Sequence, residues 1–444
     1  MRSWLRSTAP LALALAACDR TVQLPEAPET PALARSGVVN PICDADNGGL
    51  TLPSGFCALV VFDAKTPTGA PAAARHIAVA PNGDVFVAIQ SAGGGVLALR
   101  DTNGDGRPDQ TATFGSGPGH GIYFNAPFLY FAPNDRVERY RMSPGSLTPL
   151  SGPEVIVSGM PNTGDHVTKS IVVTGDGSLF VNLGSASDVC QAVNRQPGSP
   201  GVDPCPELPV RSGVWRYDAN LPGQVHNPAA RFATGTRNMV ALALNPGNGE
   251  LYGVQHGRDN LNVYWPALFT PQDQAELPAE ELFRLRQGAD YGWPYCYYDQ
   301  RQGKKVLGPE YGGDGHTVGR CATAELPIET FPAHWAPNGL LFYTGTQFPA
   351  QYRGGAFVAF HGGFNRPNPF RDEGYNVVFV PFRGGVPSHD TQVFADGFIG
   401  ADAVNLPADA DHRPVGLAQG PDGSLYVTDD RGGRIWRVLH ASRR

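Results

Sequence analysis

Six times along the chain an apolar alternation runs into a turn of Pro, Asn, Asp or Gly and out into a second alternation. The copies are "IAVAPNGDVFVAI" from Ile77, "GIYFNAPFLYFAPNDRVERYRM" from Gly121, "IVVTGDGSLFVNLG" from Ile171, "LALNPGNGELYGVQ" from Leu242, "LLFYTGTQFPAQYRGGAFVAF" from Leu340 and "LAQGPDGSLYVTDDRGGRIWRV" from Leu417. Period-two alternation builds strands, and Asn-Gly and Asp-Gly are the strongest short-range hairpin signals. Hairpins recurring every 45 to 100 residues or so predict an all-β, six-bladed β-propeller with long inter-strand insertions. A sandwich would show denser and more even strands. The 55 Gly, 41 Pro and only 17% charged residues fit a turn-rich β protein. One strand, "CALVVFDA" at 57–64, precedes the first hairpin without a partner. It is expected to pair with the last blade around Ile435–Leu439, closing the ring and removing a free edge.

The N-terminus reads as an address. "MRSWLR" is a basic leader and "LALALAA" an apolar stretch too short to span a bilayer. It ends at "LAAC", which resembles the bacterial lipobox, with Cys18 as the lipidated residue. Residues 1–18 are therefore expected to be a lipoprotein signal, 19–40 a Pro/Ala-rich tether and 41–444 the propeller. The protein would face the periplasm on a lipid anchor, or be secreted if Cys18 is not lipidated. The remaining cysteines, Cys43, Cys57, Cys190, Cys205, Cys296 and Cys321, form three local pairs. An even count in an exported chain favours disulfides, with nearest-neighbour pairing the simplest of the alternatives. A net charge of −7, with no Lys/Arg-rich run, gives no reason to expect nucleic acid.

Polar residues recur at one place in the repeat, just before the first strand of a hairpin. Arg75 and His76 precede the first, Asp165 and His166 the third, Arg237 and Asn238 the fourth, His334 the fifth and Arg413 the sixth. A second ring follows the hairpins: His256, Arg258 and Asp259 in "VQHGRDN", His361 and Arg366 in "FHGGFNR", Asp429 and Arg431 in "VTDDRGG". Several arginines converging on one pore imply a ligand with several carboxylates or phosphates. No Walker or Rossmann glycine loop is present, so a nucleotide is not expected. Separately, "DTNGDGRPD" places Asp101, Asn103, Asp105 and Asp109 at positions 1, 3, 5 and 9 of an EF-hand-like loop, with Gly106 at position 6. It is expected to be a structural Ca²⁺ site, the alternative being a polar Asx turn.

An ordered set of motifs resembles the soluble quinoprotein glucose/sorbosone dehydrogenase family, six-bladed propellers carrying pyrroloquinoline quinone (PQQ). It comprises "ARHIAVAPNGDVFV", "GDHVTKSIVVTGDGSLFV", "GTRNMVALALNP", "QHGRDN", "QGADYGWPYC", "FYTGTQFPAQYRGGAFVAFHGGFNR" and "RPVGLAQGPDGSLYVTDDRGGRIWRV". The match looks closer to the sorbosone-dehydrogenase-like branch. The resemblance implies a PQQ- and Ca²⁺-dependent oxidation of a sugar: an aldose, a sorbosone-like keto-aldehyde or a related polyol. His166 would be the general base, working near its ordinary pKa, and Asp165 would orient its imidazole. Arg237, Asn238 and Arg413 match cofactor contacts, and Arg75, His256, His334, His361 and Arg366 are grouped with them. Ca²⁺ beside the quinone would take the backbone carbonyls of Gly257 and Arg258. His361 replaces the lysine of the glucose dehydrogenases, His256 a glutamine and Val415 a second arginine. The rival readings are a calcium-dependent propeller lactonase or esterase, and a non-catalytic ligand-binding propeller. The partners expected are a small sugar and an electron acceptor that the sequence does not name.

Overall fold

A strand buried on both faces has no reason to alternate, and the second strand of each hairpin shows this. Val85–Ile89, Ser178–Leu183 and Ala356–Phe360 are buried along all or nearly all of their length, whereas the outer strand Gln110–Phe114 is mostly exposed. A propeller blade imposes this gradient because each sheet is covered by its two neighbours near the axis and by water at the rim. The computed structural model describes residues 41–91, 93–400 and 403–440. The leader, the tether and Cys18 lie outside the described residues.

Six sheets of four or five strands form the ring, and their innermost strands are Ala74–Val79, Gly119–Asn125, Ile171–Val173, Ala241–Asn245, Pro337–Phe342 and Pro414–Gln419. These six strands line an axial cavity of about 290 Å³. Six apolar clusters each hold residues of two adjacent blades, and two smaller ones lie beside the ring among the inserts. At about 1.5–3 kcal/mol for each fully buried Val, Leu or Phe side chain, these inter-blade seams supply the ring's cohesion.

The sixth blade is completed by the other end of the chain. Phe56–Asp63 pairs antiparallel with Arg434–His440, from Phe56 opposite His440 to Asp63 opposite Arg434. The closing strand is the one expected, and the Cys43–Cys57 disulfide fastens the segment before it. The other two disulfides, Cys190–Cys205 and Cys296–Cys321, also join nearest neighbours and tie down inserts. The inserts that matter follow the second strands of the third, fourth and fifth blades, at 184–212, 256–279 and 361–375. The same end of the ring carries the starts of the innermost strands. Among the described residues no helix is long and apolar enough to cross a membrane.

Candidate functional site

The register breaks at the top of four inner strands: between Ala74 and Ile77, Gly119 and Gly121, Pro337 and Gly339, and Pro414 and Leu417. A bulge inserts an unpaired residue and re-aims its side chain. Three of the bulges carry polar residues, and these meet. Arg75 donates from Nε to His120 Nδ1 at 2.9 Å. His120 Nε2 lies 3.0 Å from His76 Nε2, which is 2.8 Å from the Asn338 carbonyl. Asn338 Oδ1 in turn accepts from His256 Nε2 at 2.9 Å. His120 and Asn338 thus occupy the second- and fifth-blade positions of the ring. Sequence reasoning missed both, although "PGHGIYF" sets His120 close before its strand much as "RHIAV" sets His76.

On one side of this chain stands a third missed residue, Asp430. It pairs with Arg75 and accepts from His361 Nε2 at 2.9 Å. His361 Nδ1 accepts from Arg413 Nη2 at 2.7 Å, and Arg413 also donates to the carbonyls of His361 and Gly362. On the other side Arg237 is buried between Asp188, 2.9 Å away, and Asp259, 2.7 Å away. Burial works against both acids. Burial and the Asp259 charge push Asp188 up, whereas the guanidiniums of Arg237 and Arg195 overcome burial and hold Asp259 down. Arg75, Arg237 and Arg413 therefore come from three blades, and each keeps one terminal nitrogen (Nη2, Nη1 and Nη1) that donates to no described residue.

His166 stands next to Arg237. Its Nδ1 lies 2.9 Å from Ser185 Oγ and 3.1 Å from the Ser185 carbonyl oxygen. Burial first, then the Arg237 charge, lowers its pKa well below the ordinary imidazole value, so the expectation of an unperturbed base is corrected. The expected role of Asp165 is corrected too. Its carboxylate turns outward to Arg195, 2.8 Å away, and to Asn194, so it anchors the insert at 184–212 and does not orient the imidazole. Lys169, also missed, is fully buried and donates to the carbonyls of Pro161 at 2.8 Å and Val167 at 2.5 Å, bracketing the segment that carries His166. Burial lowers its pKa to about 7.

Other expected site residues are committed elsewhere. His334 donates from Nε2 to the Gln274 and Leu277 carbonyls, and Arg366 is spent on the carbonyls of Ala275 and Arg371 and on Glu373. Both hold inserts in place and neither joins the ring. Asp429 caps the turn after its strand by accepting from the backbone of Arg413, Arg431 and Gly432, and Arg431 donates to Ala408 and Ala410; the neighbouring Asp430 is the one that reaches inward. The Arg258 guanidinium is buried against Glu310 at 2.6 Å. Its carbonyl and that of Gly257 accept from no described donor, beside a cavity of about 20 Å³, and Asn238 Oδ1 is a buried acceptor without a partner. The loop at 101–109 closes on itself: Asp101 accepts from Gly104 and Gly106, Asn103 from Asp105, Asp105 from Arg107 and Asp109 from Thr102. Among the described residues its carboxylates do not converge to metal-ligating distance, so it is a run of Asx turns and not an assembled cage.

Known proteins place this architecture. A family model described as TrAA12-like matches residues 61–441. The chain belongs to the TrAA12-like family. A curated relative of this TrAA12-like protein, the "Pyrroloquinoline quinone-dependent sugar dehydrogenase" of Hypocrea jecorina, is 26% identical over 312 residues, 65% of each chain. The chain spans just under two thirds or less of the curated relatives it matches. Among solved structures, the calcium structure of a Trichoderma reesei carbohydrate-active enzyme of family AA12 superposes with TM-score 0.70 at 22% identity, covering 92% of this chain and 99% of that one. The holo form of the pyranose dehydrogenase PQQ domain of Coprinopsis cinerea gives TM-score 0.70 at 19% identity, covering 90% and 98%. At these identities the structures speak for the shared six-bladed fold of the TrAA12-like protein.

Proposed function

We propose that this protein is a PQQ- and Ca²⁺-dependent dehydrogenase that oxidises a sugar, with His166 as the general base. The observation that carries the reading is the juxtaposition of a half-buried, neutral imidazole with a guanidinium ring whose members each keep a spare donor. A planar quinone bearing three carboxylates matches three guanidiniums with three uncommitted nitrogens. Arg75, Arg237 and Arg413 would hold its carboxylates, with Asn238 Oδ1 and the histidines completing the cradle. The Gly257 and Arg258 carbonyls, hard oxygen donors without hydrogen bonds, suit Ca²⁺. When bound, the pair supplies a hydride-accepting carbon polarised by a divalent cation.

What the chain itself contributes is proton handling and orientation. With its pKa lowered by burial, His166 is unprotonated at neutral pH and can take the proton of a substrate hydroxyl. His361 donates from Nε2 to Asp430, so its Nδ1 is free to hold the Arg413 fork in place. The position of Arg195 across Asp165 and Asp259 keeps the disulfide-tied insert against the base. The family membership and the named function of the Hypocrea relative support the same activity. The basic leader, the "LAAC" sequence and three disulfides support export and a lipid anchor at Cys18.

Purified protein loaded with PQQ and Ca²⁺ should reduce a dye in the presence of an aldose, keto-aldehyde or polyol, and its quinone absorbance should bleach on substrate addition. Turnover of lactones or esters without PQQ would replace this reading with the hydrolase. Failure to bind PQQ at all would leave a ligand-binding propeller.

A further inference from the structure

The contacts of Ser185 allow the hydrogens around His166 to be counted. Ser185 Oγ lies 2.6 Å from the Ser187 carbonyl, an acceptor only, so the single hydroxyl hydrogen is spent there. Oγ therefore faces His166 Nδ1 with a lone pair. The Ser185 carbonyl, 3.1 Å from the same nitrogen, also offers only lone pairs. Two acceptors on one ring nitrogen require that nitrogen to carry the hydrogen. In the neutral ring, Nε2 is then left with the lone pair, which is the form a base needs.

Ser185 is itself fixed from several sides. It is fully buried, its N–H donates to the Arg237 carbonyl at 2.7 Å, and its carbonyl receives the His166 N–H at 3.2 Å. The residue before it, Gly184, has no room for a side chain: a Cβ would fall 2.6 Å from that of His166. Arg211 adds donors to the carbonyls of Gly184 at 2.7 Å and His166 at 3.2 Å. One residue thus bonds both the base and the main chain of an arginine in the ring.

We propose that Ser185 is the positioning residue for His166, holding the imidazole as its Nδ1–H tautomer at a set distance from Arg237 and doing so with neutral acceptors, no carboxylate being involved. The proposal rests on the reading of His166 as the base. It goes further by assigning which nitrogen takes the proton and what holds the other.

Nitrogen-15 NMR of the histidine-labelled, cofactor-free protein tests this directly. The two ring nitrogens should report a protonated Nδ1 and an unprotonated Nε2, and a ring protonated on Nε2 overturns the proposal whatever any variant does. Ser185→Ala keeps only the longer carbonyl contact. Its Nδ1 proton should move upfield and exchange faster with solvent, while kcat in the PQQ-loaded enzyme falls about tenfold at unchanged KM for the sugar. Ser185→Thr, which restores the hydroxyl, should restore the proton signature. An alanine variant with the parent proton resonance and the parent kcat overturns the positioning role. If no sugar is oxidised by the parent protein, the proposed function has failed; the tautomer, read without cofactor, is decided separately.

Discussion

At the scale of single residues, the chemistry lies in pairings that sequence spacing does not encode. Arg237, Asn238, Arg413 and His166 were legible because each stands a short step before a strand of the repeat. Asp430 and Ser185 were not, because loops after the second strands bring them back to the ring, whereas His120 and Asn338 sit at the starts of their own inner strands and are turned inward by bulges. Asp165, adjacent to His166 in sequence, turns instead to Arg195 and Asn194. His166→Asn should retain PQQ in a spectrophotometric titration while lowering kcat by about 1000-fold, the range of a lost general base. Undiminished turnover would remove His166 from the reaction. Asp430→Asn should behave in the opposite way. It takes the counter-ion from Arg75 and, with a single amide oxygen, cannot accept from both Arg75 and His361, at a cost of about 3 kcal/mol typical of a broken buried pair. Yet it deletes a negative charge from the place where a polyanion would bind, so PQQ affinity should not fall even as the thermal midpoint drops.

Strands and inserts divide the labour. The hairpins were readable from turn dipeptides, since Asn-Gly and Asp-Gly report local backbone geometry. The inserts were not, since their positions depend on anchors such as Arg195 to Asp259, Arg366 to the Ala275 carbonyl and Trp265 to Glu310, each joining distant segments. The closing strand is the most exposed dependency. Replacing Cys43 and Cys57 together by serine frees the segment that leads into Phe56–Asp63. For the 14-residue separation, loop-closure entropy makes the loss about 3 kcal/mol. A lower denaturant midpoint, together with faster proteolysis before Phe56, is the expected outcome; an unchanged midpoint would show that strand pairing alone suffices.

The whole ring gathers histidines that their surroundings hold neutral. His76 and His361 are each lowered by burial to about 4, and His120 and His166 are also depressed by burial. An unfolded chain binds these protons below about pH 6.5, while the folded one refuses them until near pH 4, so stability is lost as pH falls through that window. Glu280, raised by burial to about 8, and Asp188 and Asp372, also raised by burial, work the other way, holding their protons better when folded, but they are three groups against seven lowered histidines. Thermal midpoints measured from pH 7 down to pH 4 should decline, and less steeply in a His76→Gln variant. Ring closure also has a consequence in time. Because Phe56–Asp63 waits for Arg434–His440, nearly the entire polypeptide must emerge before its first strand finds a neighbour. A ribosome or translocon that stops early leaves that ribbon unzipped, so an unfinished copy advertises itself to proteases.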